Sequence, residues 1–250
     1  MNQNFYDKLN NVIAKDSILI DEPMSRHTTF SVGGQADFFV TPKAKEEVRD
    51  VICICKEAGM PYYIIGNGSN LLVSDAGYRG VIVQIYKEMN EVKVEGDLVK
   101  AQAGALLSGI AAKALGAELS GFEFASGIPG TIGGACVMNA GAYGGEMKDV
   151  LESVTVLTGE GKIIELGRNE LELGYRTSVI AKNGYIVLGA VLKLERGDGE
   201  KIKNYMDELK EKRVPKQPPP SPPAGPPPQP PAGHFPSTLL AHPRHRASQP

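Results

Sequence analysis

The sequence predicts an α/β domain that is followed by a proline-rich segment. Within residues 1 to about 212, segments with helical and strand-like hydrophobic patterns alternate, and two loops of small residues interrupt them. Fourteen of the eighteen prolines lie from Pro215 onward, and no Asp or Glu follows Glu211. That composition is typical of a polyproline-rich, disordered chain, so we predict that residues 214–250 are disordered.

The predicted elements alternate along the domain. Helices are expected at 5–15, 42–58, 105–115 and 198–212, and strands at 62–65, 80–86, 92–94, 98–101, 154–157, 162–166 and 185–194. The second helix has the clearest boundaries. Thr41 is its expected N-cap, Pro42 its first residue, and Gly59 the stop signal that follows it.

Two loops of small residues carry most of the functional information. The first, Gly66-Asn-Gly-Ser-Asn-Leu-Leu72, follows the strand-like run Tyr62–Ile65. The second runs from Gly121 to Gly145 and is rich in glycine and alanine. A backbone without bulky side chains can approach a flat, phosphate-bearing ligand, and its N–H groups can hold an anion. The two loops together predict a large dinucleotide lying across a sheet.

Other phosphate-binding motifs fit these loops poorly. A phosphate-binding loop of the ATPase type needs Gly-Lys-Ser/Thr, but the first loop has Ser69 and Asn70 there and no lysine. A Rossmann fingerprint needs a third glycine where this chain has Leu71. A plain tight turn remains an open interpretation of the shorter loop taken alone. Plain turns rarely need fifteen consecutive residues of mostly small side chains, such as those at 121–135 of the second loop, which favours the ligand interpretation for the pair.

Composition limits the other function classes. The 250 residues suffice for one large domain or two smaller ones, and a formal net charge of −2 argues against a nucleic-acid or membrane partner recruited by charge. The N-terminus lacks the pattern of a secretory signal, so a cytoplasmic location is expected. Cys53 and Cys55 would face nearly opposite sides of a helix, so no metal site is expected and the thiols are predicted to be reduced.

Four motifs in register reveal a family resemblance. They are Arg26-His-Thr-Thr-Phe-Ser-Val-Gly-Gly34, the two loops above, and Tyr175-Arg-Thr-Ser178. Together they resemble the UDP-N-acetylenolpyruvoylglucosamine reductases, flavoenzymes of peptidoglycan precursor synthesis, and most closely the shorter type found in many Gram-positive bacteria. The resemblance covers roughly residues 5–213.

The resemblance implies a FAD-binding fold of the vanillyl-alcohol oxidase (PCMH) type, of mixed α+β or α/β class, over about 31–196. The expected division is a first lobe at 1–85, a second lobe at 86–196, the start of a substrate-binding domain at 197–213, and the tail. It also implies a monomer that works in cell-wall formation, and so in cell shape and division. NADPH reduces noncovalently bound FAD, and a UDP-sugar enolpyruvyl ether then receives hydride at C3 and a proton at C2, giving UDP-N-acetylmuramate.

The resemblance also implies roles for particular residues. The matching residue for the catalytic arginine is Arg176, whose guanidinium suits a carboxylate that gains enolate character. The FAD contacts are expected from the backbone of the two loops: Gly66, Asn67, Gly68, Ser69, Asn70, Leu71, Ser126, Gly127, Gly130, Thr131, Gly133 and Gly134. His27 is interpreted as structural or as a weak flavin contact, and Tyr143 and Glu146 either line the site or pack a turn.

The chain departs from the family pattern in its C-terminal segment. Pro226 occupies the position of the family's proton-donating serine, and the family's late glutamate has no counterpart. We therefore expect an incomplete, altered substrate-binding domain and impaired activity. Three alternatives stay open: a FAD-binding protein without activity, another sugar oxidoreductase of the PCMH type, and a polyproline II ligand formed by Pro218–Pro231.

Overall fold

The computed structural model describes residues 3–213 and 239–240. These residues form seven α-helices: α1 (Gln3–Asn10), α2 (Lys45–Glu57), α3 (Leu107–Gly116), α4 (Ile132–Val137), α5 (Met147–Val150), α6 (Val179–Asn183) and α7 (Gly199–Arg213). The strands before α3 are β1 (Ile18–Pro23), β2 (Gln35–Val40), β3 (Tyr62–Ile65), β4 (Leu72–Val73), β5 (Tyr78–Gln84), β6 (Val92–Glu95) and β7 (Leu98–Gln102). The later strands are β8 (Leu119–Ser120), β9 (Gly141–Ala142), β10 (Gly145–Glu146), β11 (Leu151–Leu157), β12 (Ile163–Gly167), β13 (Ile186–Lys193), β14 (Glu195–Arg196) and β15 (Leu239–Leu240).

The first half of the domain is a four-stranded mixed sheet in the order β1-β2-β5-β3. Strand β5 pairs in parallel with both β2 and β3, while β1 and β2 are antiparallel. Helix α2 buries Val48, Val51, Ile52 and Cys55, the apolar stripe that its sequence predicts. Helix α1 adds Phe5, whose ring meets Phe38 of β2 edge to face at 5.1 Å.

The second half is a five-stranded antiparallel sheet in the order β12-β11-β13-β7-β6. Helix α4 packs on β13, and α3 contacts β6 and β7. One continuous apolar core joins the halves, since Val40 and Val83 of the first sheet belong to the same buried cluster as Val99 and Leu188 of the second. The site described below therefore rests on two sheets that share one core.

Two predicted helix boundaries are wrong. Helix α1 ends at Asn10 instead of continuing to residue 15, because consecutive asparagines favour a turn over a helix. Helix α2 begins three residues after Pro42, with Ala44 as its N-cap in place of Thr41. The Glu47 carboxylate accepts a hydrogen bond from the Lys43 amide at 2.7 Å and so closes this first turn. The stop is confirmed, since Gly59 has a φ of +61°.

The segment after the second sheet begins with a short pairing of β14 with β8. Helix α7 follows and packs Ile202 and Leu209 against α3 and β8, while Tyr205 is 41% exposed. In the remaining segment, β15 pairs in parallel with β4. The predicted disorder of 214–238 and 241–250 and the position of Pro226 lie outside the described residues.

Candidate functional site

The two loops of small residues meet at one cleft. A cavity of about 250 Å³ lies between 66–71 of the first loop and 128–140 of the second. Apolar side chains form much of its wall, among them Tyr63, Leu107 and Val137. A cleft with apolar walls and a few polar backbone groups is the usual form of a cofactor site.

The first loop is held by buried side chains at its two ends and lies against a neighbouring carbonyl at its centre. Ile65 and Leu71, at its two ends, are buried in a small apolar cluster with Met24 and Phe39. At its centre Gly68 has a φ of +70°, and a Cβ there would lie 1.9 Å from the His27 carbonyl oxygen. Only glycine fits this position, because both the backbone conformation and the neighbouring carbonyl exclude a side chain.

The second loop is pinned to the second sheet and to the first loop. The amides of Ile132 and Gly133 donate to the carbonyls of Ala105 and Ala103 at 2.8 and 2.9 Å. The Ser69 hydroxyl of the first loop donates to the Pro129 carbonyl at 3.0 Å. A Cβ on Gly66 would lie 2.5 Å from Thr131 Oγ1, so the loops approach more closely than side chains would allow.

Several backbone donors at the cleft remain available for a ligand. The amides of Asn67, Gly68, Ser69, Asn70 and Gly130 donate no hydrogen bond to any residue of the described part of the chain. Buried or half-buried amides normally have a partner. A row of such donors beside a cleft is suited to phosphate oxygens.

Nine of the twelve predicted FAD contacts line this cleft. They are Gly66, Asn67, Gly68, Ser69, Asn70, Leu71, Gly130, Thr131 and Gly134. The structure does not bring Ser126, Gly127 and Gly133 to it. Ser126 ends a short 3₁₀ turn, and a Cβ on Gly127 would meet Arg213 Nη1 at 2.9 Å. Gly133 lines a smaller cavity of about 100 Å³ behind the loop.

Arg176 lies at a neighbouring cavity of about 220 Å³. Met138 and Ala140 line both cavities, so the Arg176 site adjoins the cleft between the loops. The glycine-rich hairpin of β9 and β10 forms the rest of its wall, together with Tyr143 and Tyr175. The two cavities therefore place a candidate cation beside a candidate cofactor site.

A strained two-residue turn carries Arg176. The Gly174 and Thr177 backbones pair on either side of it, with N···O distances of 3.1 and 3.3 Å. Arg176 itself has a φ of +52°, which is uncommon for a long side chain. Strain of this kind persists where the surroundings hold the backbone firmly, and it occurs preferentially at functional sites.

The sequence did not decide whether Tyr143 and Glu146 line the site or pack a turn. In the structure both line the Arg176 cavity. Tyr143 is 39% exposed and has a φ of +53°. Hydrogen bonds from Lys148 and Asn139 lower the pKa of the Glu146 carboxyl below its ordinary value. Glu146 is therefore an ionised acceptor at neutral pH and not a proton donor.

His27 has a structural position beside the first loop. Its ring stacks on Phe39 at 3.9 Å, and its Nε2 lies 2.9 Å from Glu22 Oε1. Its carbonyl is the group that excludes a side chain from Gly68. His27 is absent from the described lining of the cleft, and the structural interpretation accounts for all of these contacts.

The cysteines and acidic residues offer no metal centre in the part of the chain that the structure describes. All three cysteines are free thiols there, and burial raises the pKa of Cys55 and Cys136 to about 12. Such thiols are protonated and unreactive at neutral pH. Among the same residues, no helix has the length and apolarity to cross a bilayer.

Comparison with known protein families identifies the class of domain that the chain contains. The family described as FAD binding domain matches residues 36–167, which contain both loops. The chain therefore carries a FAD-binding domain, and the cleft between the loops fits that cofactor in its apolar walls and its unpaired amides.

Curated relatives then define the family. The UDP-N-acetylenolpyruvoylglucosamine reductase of Clostridioides difficile (strain 630) is 47% identical over 96% of this chain and 79% of its own length. That of Clostridium novyi (strain NT) is 50% identical over 93% of this chain and 76% of its own length. The chain belongs to the UDP-N-acetylenolpyruvoylglucosamine reductase family. Because the first match covers 96% of the chain, the similarity extends beyond residue 213 and into the proline-rich segment.

Solved structures agree with the fold. The reductase of the same name from Thermus caldophilus has a TM-score of 0.68 and 35% identity, over 80% of this chain and 70% of that one. An alkyldihydroxyacetonephosphate synthase has a TM-score of 0.59 at 20% identity, over 78% of this chain and 41% of that one. The second likeness shows the fold alone. The predicted PCMH-type FAD-binding fold is thereby confirmed.

Proposed function

We propose that the chain reduces UDP-N-acetylglucosamine enolpyruvate to UDP-N-acetylmuramate, with NADPH as the reductant and FAD as the cofactor. The single observation that carries this proposal is that Met138 and Ala140 line both the cavity between the two loops and the cavity that contains Arg176. Membership of the reductase family supports the substrate class. We also propose that the chain has two lobes, at 1–85 and 86–196, that it is a monomer, and that it lies in the cytoplasm.

The residues proposed to hold FAD are those whose backbones line the cleft. The free amides of 67–70 and Gly130 would bind its phosphates, and the apolar wall near Leu107 and Val137 would exclude water from its rings. When bound, FAD supplies the two-electron carrier between NADPH and the enolpyruvyl group. Ser126, Gly127 and Gly133 do not line the cleft, so no direct FAD contact is proposed for them.

Arg176 is proposed to bind the substrate carboxylate. Addition of hydride at C3 leaves negative charge on C2 and on the carboxylate, and a fixed cation stabilises that charge as it develops. A guanidinium stays protonated throughout and can donate two parallel hydrogen bonds to a carboxylate. The turn fixes the backbone position from which the Arg176 side chain extends.

The cofactor is expected to be bound without a covalent link. Acid precipitation of the purified yellow protein should release the flavin and leave a colourless pellet. The reason is that His27, the one histidine among the described residues, uses its ring against Phe39 and Glu22. Flavin absorbance is measured in the supernatant and in the pellet. Colour that stays in the pellet would contradict the proposal and favour another sugar oxidoreductase of this fold.

Pro226 is expected to limit the rate of the substrate half-reaction. Protonation at C2 needs a donor at a fixed point, and proline has no side-chain donor. Pro226→Ser should therefore raise the rate at which substrate oxidises the reduced protein, since general acids contribute roughly 100- to 10,000-fold. The rate is measured anaerobically in a single turnover, with Pro222→Ser as the matched control. An equal rate in parent and Pro226→Ser would show that the donor lies elsewhere.

A further inference from the structure

We infer that Asn139 is a positioning residue for Arg176, and that it acts by holding the carbonyl of Gly174. The inference rests on the proposed function, because it matters for catalysis only if Arg176 binds the substrate carboxylate. Asn139 lines the same cavity as Arg176 but is itself only 5% exposed.

The side-chain amide of Asn139 forms hydrogen bonds with three different elements. Its Nδ2 donates to Glu146 Oε2 at 2.7 Å and to the Gly174 carbonyl at 3.0 Å. Its Oδ1 accepts from the Lys148 amide at 2.9 Å. These three contacts tie the second loop to the β9–β10 hairpin, to the start of α5 and to the turn that carries Arg176.

The contact with Gly174 acts directly on the Arg176 backbone. Gly174 opens the turn, and its carbonyl also accepts from the Thr177 amide at 3.3 Å. On the far side, the buried Ser178 hydroxyl donates to the Val137 carbonyl at 2.7 Å. The segment 137–139 thus holds both ends of the strained turn, two residues before and two residues after Arg176.

Only an amide satisfies all three partners. Glu146 and the Gly174 carbonyl are both acceptors, so they need the two N–H bonds of one NH₂ group, while the Lys148 amide needs an oxygen. Aspartate would keep the oxygen but place a second carboxylate against Glu146, and it would leave the Gly174 carbonyl with the Thr177 amide as its one remaining donor among the described residues. The Asn139 backbone has a φ of +45°, which asparagine tolerates better than most residues.

The test compares Asn139→Asp with Asn183→Asp in the full chain loaded with FAD. Asn183 is exposed at the end of α6 and does not line the Arg176 cavity, so its variant adds the same charge outside the site. Asn139→Gly is the second test variant, because glycine keeps the left-handed backbone and removes only the side chain. Hydrogen exchange of the Thr177 amide reports the turn, and anaerobic stopped flow reports FAD reduction by NADPH and reoxidation by substrate separately.

Both Asn139 variants are expected to lower the exchange protection of Thr177 and to slow reoxidation by roughly 10- to 100-fold, since a small misplacement of a reacting group costs that much. Reduction by NADPH should change far less, and Asn183→Asp should match the parent in all three readouts. Unchanged Thr177 protection, or equal slowing of both half-reactions, would overturn the inference. Arg176→Ala is measured in parallel. If that variant reoxidises normally, the proposed function fails, while the Thr177 result still decides whether Asn139 holds the turn.

Discussion

Gly134→Leu is expected to leave the protein folded but without FAD. Gly134 lines the cleft and is exposed, and a Cβ there would meet within 4 Å only Thr131 Oγ1, at 3.8 Å. The leucine side chain can therefore extend into the cleft without disturbing the protein around it. The measurement is the flavin content of the purified variant, together with its thermal melting temperature and its affinity for added FAD.

The matched control is Gly109→Leu in α3, where the added side chain meets nothing within 4 Å and lies on an exposed helix surface. It should bind FAD as the parent does. Gly68 is a poorer choice for this test, because a side chain there meets the His27 carbonyl and would unfold the loop itself. Normal FAD affinity in Gly134→Leu would mean that the cofactor does not occupy the cleft between the loops.

Arg176→Ala and Arg176→Lys are expected to slow reoxidation of the reduced FAD by the enolpyruvyl substrate by about 100- to 1000-fold, the usual cost of one electrostatic donor. Lysine should not rescue the rate, because an ammonium group cannot form the forked pair with a carboxylate. Reduction of FAD by NADPH should change much less, since no enolate charge develops in that half-reaction.

Both half-reactions are followed anaerobically by flavin absorbance, so that slow phases can be recorded over hours without interference from oxygen. Val48→Ala in α2 serves as a control for lost stability, because Val48 is fully buried far along the chain from the site. Equal slowing of both half-reactions in the Arg176 variants would mean that the arginine supports the fold or the cofactor instead of the substrate.

Much of the fold could be predicted from local sequence patterns, because a short helix, strand or loop depends mainly on residues that are close in the sequence. The strand at Tyr62–Ile65 and the loop after it were predicted at their observed positions, since a short apolar run followed by glycines has few alternatives. Strands β1 and β2 were not predicted. Their pairing is a tertiary contact, and the mixed burial of Ile18–Pro23 does not give a clean alternation.

Prediction of the site residues from the sequence was limited in a similar way. Small residues predicted that the two loops serve a ligand, but composition alone could not separate residues that line the cleft from those that pack behind it. A Cβ on Gly133 would lie 3.0 Å from the Ala103 carbonyl oxygen, and Gly127 faces the side chain of Arg213. Asn139 gave a weak signal, as the one amide side chain in a run of glycine and alanine, but its partners at Glu146 and Gly174 are visible only in three dimensions.

The most direct test of the account is anaerobic oxidation of the FAD-loaded, NADPH-reduced chain by UDP-N-acetylglucosamine enolpyruvate. The account predicts that the yellow colour of oxidised flavin returns and that one equivalent of UDP-N-acetylmuramate forms for each flavin reoxidised, however slowly. Flavin that stays reduced in the presence of saturating substrate, in both the parent and Pro226→Ser, would contradict the account and leave a FAD-binding protein without reductase activity.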